Sequence, residues 1–390
     1  MKQQASLAMF TVAIAFGQDA WRERMNLANR LQEQGRYAES RPLYEKAIAE
    51  VDSSGTKDSR YAQALNNLAA HYYEMGRYGE AESMYRKAVE GWRSAGLGGR
   101  LGVTLSNLAT LYRKTGRYSL ALQTFEEADA VLRNAYGEKS PELASCLVNW
   151  AEAYRASGRQ VEAESTAAKA LVISENLFAS NDARLSHSLH AYATMLQLSG
   201  RGKEAEPLHQ RALSIRQGVF GNDHPYVAAT LSALVSLHIE QGSYNAAEPL
   251  ASRALKIWET SLGPDHPNTA AALNNMAQVY RFEQRYAEAE PLYRRAIDIL
   301  ERHKIPDVAG PLANMGDFSF ERGRTAAALA FYKRSEEVAV ASFGDRAPQT
   351  AAIQLKLAKL YEALGRNTEA MRLLKRAKQE PAIQSFQAVP

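Results

Sequence analysis

The chain has 390 residues, of which 46% are hydrophobic and 23% charged, and its formal net charge at pH 7 is only +4. This small excess does not indicate binding to nucleic acid or to an anionic membrane. Cys146 is the single cysteine, which excludes an intrachain disulfide framework and a metal site made of several cysteines.

The first 17 residues have the composition of a secretory signal peptide. Lys2 is the only charge before Asp19, and an apolar run extends from residue 8 to residue 16. The run is too short to span a bilayer permanently, so the mature chain would have no integral membrane segment. We predict cleavage near Gly17 and a periplasmic or secreted protein. The alternative is a cytoplasmic protein in which residues 1–17 form an apolar capping helix.

After this segment, a pattern of two amphipathic helices joined by a polar turn repeats along the chain. In one unit, Leu273, Met276, Ala277 and Tyr280 share one face of a predicted helix. The turn position recurs every 39 to 42 residues, which indicates a stacked repeat array. Glycine suits the turn because the first helix must end in a conformation that residues with a Cβ avoid. The nine turn positions are Gly35, Gly76, Gly116, Gly158, Gly200, Gly242, Gln284, Gly323 and Gly365.

A small residue ends the packing pattern of every unit. Because alanine carries only a methyl group, two helix axes can approach to the short end of about 8–10 Å there. We therefore expect a close helix crossing that admits nothing larger in each unit. The nine residues are Ala47, Ala88, Ala128, Ala170, Ala212, Ala254, Ala296, Ser335 and Ala377.

This order of large, small and aromatic positions resembles the tetratricopeptide repeat, and the long period resembles its kinesin-light-chain variety. The resemblance covers roughly residues 21–378. It implies an all-α, right-handed α-α superhelix of about nine helical hairpins. We predict one solenoid domain at residues 18–378 and a C-terminal tail at residues 379–390. Kinesin association is not implied, since the N-terminal heptad coiled coil of a light chain is missing.

Two kinds of proline bear on the helix boundaries. Two links contain an Asp-His-Pro motif, which ends at Pro225 and at Pro267. We interpret this motif as a structural turn, because a catalytic site would not be copied every 42 residues. Other prolines lie a few residues past a turn. Because the first amides of a helix have no helical hydrogen-bond partner, proline costs little stability there, and we predict that the second helices begin just before these prolines. These prolines are Pro42, Pro207, Pro249 and Pro291.

The resemblance also implies that the first helices line a concave groove, where asparagine is frequent. An amide can clamp a peptide backbone without regard to its side chains, as asparagines do in similar proteins. The other interpretation is that these side chains bond neighbouring helices and stabilise the stack. Both stay open for Asn66, Asn67, Asn107, Asn149, Asn274 and Asn275.

Basic and imidazole side chains surround these asparagines. Guanidinium groups would suit the carboxylates of an acidic peptide, although Glu74 and Glu152 on the same face could pair with them instead. The two histidines lack an evident third ligand, so we predict no metal site. The candidate residues are Arg113, Lys114, Arg155, His187, His190 and Arg281.

The sequence contains no phosphate-cradling glycine loop, nucleophile elbow or His-Glu-x-x-His motif. We predict a non-enzymatic scaffold without a cofactor that binds a protein or peptide segment in the groove, and not nucleic acid. The alternative is an architectural subunit that self-associates, or stacks on an envelope complex, through its convex faces or end repeats. The partner's identity and the oligomeric state stay open.

Overall fold

The computed structural model describes residues 20–32, 34, 36–53, 59–345 and 347–378. The predicted signal peptide at residues 1–17 and the predicted tail at residues 379–390 lie outside the described residues. Both therefore stay predictions.

The described residues form nine helical hairpins, numbered here as repeats one to nine. The first helix of a repeat has an odd number and the second an even number. The helices are α1 (residues 20–32), α2 (Tyr37–Ser53), α3 (Ser59–Glu74), α4 (Tyr78–Ser94), α5 (Gly98–Lys114), α6 (Tyr118–Tyr136), α7 (Pro141–Ala156), α8 (Gln160–Leu177), α9 (Ala183–Leu198), α10 (Gly202–Phe220), α11 (Pro225–Glu240), α12 (Tyr244–Leu262), α13 (Pro267–Phe282), α14 (Tyr286–Arg302), a 3-10 helix (Pro306–Val308), α15 (Ala309–Glu321), α16 (Thr325–Phe343), α17 (Pro348–Ala363) and α18 (Asn367–Lys378).

The hairpins stack into a solenoid with the first helices on the inside. From α3 to α18, the two helices of each repeat pack together, and the second helix also packs on the first helix of the next repeat. First helices of consecutive repeats touch as well, for example α5 with α7 and α7 with α9. In the described part of the chain, no comparable packing joins consecutive second helices, which therefore splay apart on the convex side. The predicted all-α superhelical solenoid is confirmed.

The predicted small-residue crossing is completely buried. In all nine repeats, from Ala47 to Ala377, the side chain at this position is 0% or 1% exposed. Close packing leaves no room for an added methylene group at such a site. The hairpin geometry is therefore set nine times by the same steric limit.

The turns adopt the left-handed conformation that the glycine pattern predicts. Seven of the turn glycines, from Gly76 to Gly365, have φ between 69° and 79°. The amide of the next residue donates back to the carbonyl five residues earlier, as Arg77 does to Tyr72 at 2.8 Å. Gln284 takes the same conformation with φ 61°, although it has a Cβ.

An arginine follows the turn in every repeat except repeat six, and the sequence analysis overlooked it. The guanidinium of Arg285 lies 4.0 Å from the ring centroid of Tyr280 in the same repeat. It also bonds Glu288 at 2.7 Å and, at 2.7 Å, Glu248 of the preceding repeat. This turn arginine therefore joins a helix end, an aromatic ring and the neighbouring repeat.

The prediction that the second helices begin just before their prolines is wrong. Pro42 and Pro207 lie five residues after the first residues of α2 and α10, and α12 and α14 repeat this spacing. Proline frees the carbonyl four residues earlier, here at Ala38 and Lys203. These residues and the prolines are exposed on the outer side, so water can bond the freed carbonyls.

The superhelix contacts itself one turn further along its axis. The ring of Tyr118, just after the turn of repeat three, stacks on Phe343 at the end of α16 with centroids 5.5 Å apart. The Nε2 atom of Gln349 in α17 donates to the carbonyl of Ala156 at the end of α7, at 3.0 Å. Turns of early repeats therefore lie on links between late repeats.

The same contact continues between repeat three and the link before repeat eight. A Cβ added to Gly116 would lie 2.9 Å from Cγ of Pro306, so the proline ring packs directly on this turn. Lys114 Nζ lies 3.6 Å from an Asp307 carboxylate oxygen. We call this contact the inter-turn seam. It comprises residues 74–78, 114–118 and 155–156 on the turn side, and residues 266–267, 303–307, 343 and 349 on the link side.

His266 shows the structural role of the Asp-His-Pro motif. Its Nδ1 accepts the amide of Asn268 at 3.1 Å and so caps α13, while its Nε2 donates across the seam to the carbonyl of Glu74 at 2.7 Å. His224 caps α11 in the same way through the amide of Tyr226. The structure thus supports the interpretation of these links as structural turns.

We expect Gln284→Gly to raise the free energy of unfolding by about 1 kcal/mol, because glycine removes the left-handed strain of a residue with a Cβ. Urea unfolding followed by circular dichroism measures this change. The matched reverse variant is Gly242→Gln, at a turn where an added Cβ meets no atom within 4 Å. It should lose stability by a similar amount, and a shift of both variants in the same direction would contradict the explanation.

We expect His266→Ala to lower the free energy of unfolding by about 2 kcal/mol near neutral pH, since it removes a helix cap and a seam hydrogen bond. Burial lowers the pKa of His266 to about 4, below the value of about 6.5 in the unfolded chain. The contribution of the neutral ring is therefore complete above pH 6.5 and is lost as the pH falls towards 4.

Urea unfolding at pH 7 and about pH 5 tests this, and the gap between the native chain and His266→Ala should be smaller at the lower pH. The control is Ser140→Ala, which removes the cap of α7 and no described seam contact. An equal gap at both pH values would show that the ring is not held neutral.

Candidate functional site

The inner face of the solenoid brings most of the predicted groove residues together. The asparagine, arginine and histidine candidates lie on α3, α5, α7, α9 and α13, all first helices. Each is half-buried except Arg281, which is 8% exposed. A partner on this face would meet partly desolvated polar groups, which strengthens hydrogen bonds and ion pairs.

The asparagines bond one another across neighbouring repeats. Asn67 donates to Asn29 Oδ1 at 2.9 Å, and Asn107 donates to Asn66 Oδ1 at 3.2 Å. Asn66 also donates to Asn67 at 3.1 Å, so a ladder of amides runs over α1, α3 and α5. These bonds supply the partners that the stack-stabilising interpretation requires.

A second amide contact joins the later repeats, where Asn314 of α15 donates to Asn274 of α13 at 3.0 Å. Asn149 of α7 and Asn275 of α13 make no side-chain hydrogen bond to the described residues. Since a half-buried amide has unused donors and acceptors, these two positions are the asparagines with most capacity for a partner.

Two of the predicted cations already have carboxylate partners. Arg155 Nε lies 2.9 Å from a Glu152 oxygen, and Lys114 faces Asp307 across the seam. Burial opposes ionisation of Glu152, yet Arg155 and Arg113 together hold its pKa below the ordinary value. This pairing reduces the positive charge that these positions offer to an acidic segment.

Arg113 differs from these cations. Its Nε atom is buried without a hydrogen-bond partner, and its guanidinium makes no ion pair with a described carboxylate. Glu74 nearby on α3 also lacks an ion pair among the described residues, and burial raises its pKa to about 7 although Lys114 opposes this. Near neutral pH, the inner face of α3 and α5 therefore holds a guanidinium without an ion pair and a partly protonated carboxyl.

Arg281 belongs to an ion network of the last repeats. Its Nη1 lies 3.3 Å from an Asp317 oxygen, and its guanidinium lies over the ring of Phe282. Lys356 and the hydroxyl of Tyr332 also bond Asp317. This carboxylate binds α13, α15, α16 and α17 together, which is a structural use of the predicted groove cation.

Repeat five contains a buried arginine without an acid. Arg216 of α10 is 2% exposed and donates to the carbonyl of Tyr226 at 2.9 Å, to Thr230 Oγ1 at 2.7 Å and to Ser186 Oγ at 3.2 Å. It forms no ion pair within the described residues. Burial lowers its pKa to about 10, so it remains charged at pH 7.

Three histidines surround this guanidinium. The rings of His190 and His209 are 5.1 Å apart, and His209 is completely buried with neither ring nitrogen bonded. Burial, followed by the charge of Arg216, lowers the pKa of His209 to about 4 and that of His187 to about 3. We call Arg216, His187, His190 and His209 the repeat-five cluster, and no carboxylate is among the groups that perturb the pKa values of its members.

The sequence held a signal for this cluster that the analysis missed. Arg216 stands 16 residues after its turn, where repeats two and six have Trp92 and Trp258. His209 stands nine residues after the same turn, where repeats two and seven have Tyr85 and Tyr293. Two polar residues at apolar core positions of one repeat indicate a local polar interior.

The structure gives little support to other kinds of site. Among the described residues, no three His, Cys, Asp or Glu side chains lie close enough to hold a metal ion. Cys146 is 1% exposed, and burial raises its pKa to about 12, so it is not a reactive thiolate near pH 7. None of the described helices has the length and apolar character needed to cross a membrane.

The tetratricopeptide repeat sequence model matches residues 20–94, 100–176, 184–257, 228–302 and 307–379. A search of curated proteins found no match. The Rap protein complexed with Competence and Sporulation Factor is 15% identical, covers 93% of this chain and 97% of its own, and has a TM-score of 0.67. Apo NprR, a quorum sensor from B. thuringiensis, is 16% identical, with coverages of 94% and 98% and a TM-score of 0.58.

A putative kinesin light chain with TPR-like repeats from Podosopora anserina is 22% identical over 51% of this chain and 94% of its own, with a TM-score of 0.40. At these identities, structural likeness speaks for the fold alone. The sequence match extends over nearly all of the repeats described above, and the chain belongs to the tetratricopeptide repeat family.

Proposed function

We propose that this protein is an interaction scaffold that holds an extended segment of another protein along the inner face of α5, α7 and α9. Membership of the tetratricopeptide repeat family supports a protein-interaction role in general. The location of the binding surface on the inner face is the more specific part of the proposal. The observation that carries it is the presence of unpartnered, partly desolvated hydrogen-bonding atoms on this face.

Arg113 Nε of α5 and His190 Nδ1 of α9 are both buried without a partner. Buried polar atoms are nearly always bonded in folded proteins, and an unbonded one costs roughly 1–3 kcal/mol. A bound segment can supply the missing partners through its carbonyl groups and side chains. The amides of Asn149 and Asn275 extend the same capacity along the face.

Charge favours acidic side chains in that segment. Arg113 has no ion pair with a described carboxylate, whereas Arg216 of the repeat-five cluster is only 2% exposed and the lowered pKa values of the three imidazoles leave these rings neutral near pH 7. Arg155 and Lys114 contribute less, because Glu152 and Asp307 already face them. We therefore assign the recognition of carboxylates to Arg113 in repeat three.

The structural neighbours are compatible with this use of the fold. The Rap protein shares the fold over 93% of this chain, and its structure was solved in complex with Competence and Sporulation Factor. That complex belongs to the other protein. For the present chain it supports only the idea that a superhelix of this length can receive a partner.

We expect peptides selected from a random displayed library against this protein to be enriched in Asp and Glu. The best of them should bind Arg113→Ala about tenfold to hundredfold more weakly, because a charged hydrogen bond is lost. Fluorescence anisotropy measures the affinity, which should fall as salt is added. The thermal midpoint should fall less than that of Arg155→Ala, since Arg113 supports the charge of Glu152 only at a distance and has no ion pair to lose within the described chain.

The matched control is Lys169→Ala on the exposed side of α8, which should bind the same peptides like the native chain. Arg155→Ala is the contrasting variant, because it leaves Glu152 without its partner and should lower stability more than Arg113→Ala does. Selected peptides that bind Arg113→Ala and the native protein equally would remove the inner face of repeat three from the proposal.

A further inference from the structure

The inter-turn seam covers only part of the solenoid. Turns of repeats two, three and four lie under the links before repeats seven, eight and nine. Among the described residues, no later turn of the superhelix covers the first-helix ends of repeats five and seven to nine. Large apolar side chains are exposed there by 37–43%. We call Leu198, Phe282, Phe320 and Leu364 the free turn edge.

In the part of the chain that the structure describes, no earlier turn of the superhelix covers the links of the early repeats. Leu97 before α5 is 42% exposed and Tyr136 at the end of α6 is 44% exposed. We call these two residues the free link edge. The two edges face opposite ends of the superhelix axis, since turns meet links in a fixed order within the chain.

The exposed side chains occupy the repeat positions that form the seam. Leu97 holds the cap position of its helix, as His266 does in the seam. Tyr136 is the last residue of its helix before a glycine, as is Phe343, which stacks on Tyr118. Leu198 stands two residues before its turn, the position that Lys114 holds in repeat three.

We propose that the free turn edge of one molecule binds the free link edge of a second copy of this chain, so that the second molecule continues the superhelix. The intramolecular seam shows that a turn and a link of this sequence fit each other at the equivalent repeat positions. A second copy is the occupant that carries the matching links by construction. The exposed apolar groups at both edges then become buried, which favours association.

The contact has a definite symmetry. Each copy contributes a different edge, so the interface is heterologous and leaves one edge of each kind free at the ends. Association through it can continue to a third copy. It uses neither the convex faces nor the inner face, and so it does not depend on the binding of a segment proposed above.

Sedimentation velocity of the full-length native chain, from about 1 to 100 µM, tests the proposal. We expect the average mass to rise with concentration. Phe320→Lys on the turn edge and Leu97→Lys on the link edge should each weaken self-association about tenfold, because a charge is placed in an apolar contact. The matched control is Val161→Lys, since Val161 is 81% exposed on α8 and belongs to neither edge.

Mixing separates this interface from any symmetric one. Phe320→Lys keeps an intact link edge and Leu97→Lys keeps an intact turn edge, so an equal mixture should form a one-to-one dimer that grows no further. Circular dichroism should show unchanged melting, because both side chains are exposed. A native chain that stays monomeric at every concentration would overturn the proposal, as would equal weakening by Val161→Lys or a mixture that fails to dimerise.

Discussion

The structure depends on a single steric limit, which is the crossing of the two helices of each repeat over a residue no larger than serine. From Ala47 to Ala377 this position is completely buried. A fixed crossing gives each hairpin the same shape, and identical shapes stack with a nearly constant rotation. The sum of these rotations brings the turn of repeat two onto the link before repeat seven, where His266 bonds the carbonyl of Glu74.

The inner face shows how a solenoid divides its polar groups between stability and recognition. Asn67 and Asn107 donate hydrogen bonds to asparagines of neighbouring repeats, and Arg155 pairs with Glu152. Arg113 and the repeat-five cluster keep capacity that the described chain does not use. Chemical types that look alike in sequence therefore differ in availability, and only the contacts of each residue distinguish them.

The period, the buried alanines and the left-handed glycines could be predicted, because each follows from local packing or backbone conformation that recurs from repeat to repeat. The inter-turn seam could not, since it depends on the accumulated pitch of five repeats and no pair of its residues is near in sequence. The error at Pro42 arose because sequence does not show that the freed carbonyl of Ala38 faces water. Arg216 was within reach, because it stands where other repeats have tryptophan.

The inter-turn seam also couples repeats that are distant in sequence. A repeat array is ordinarily a one-dimensional chain of nearest-neighbour couplings, which can fray from either end at little cost to the middle. Here one hydrogen bond joins residues 192 positions apart, and another joins residues 193 positions apart. Fraying of the last three repeats would uncover the turns of repeats two to four. The two halves of the solenoid are therefore expected to unfold together in one cooperative transition. Such distant pairs also raise the contact order, which makes closure of the coil a late event in folding.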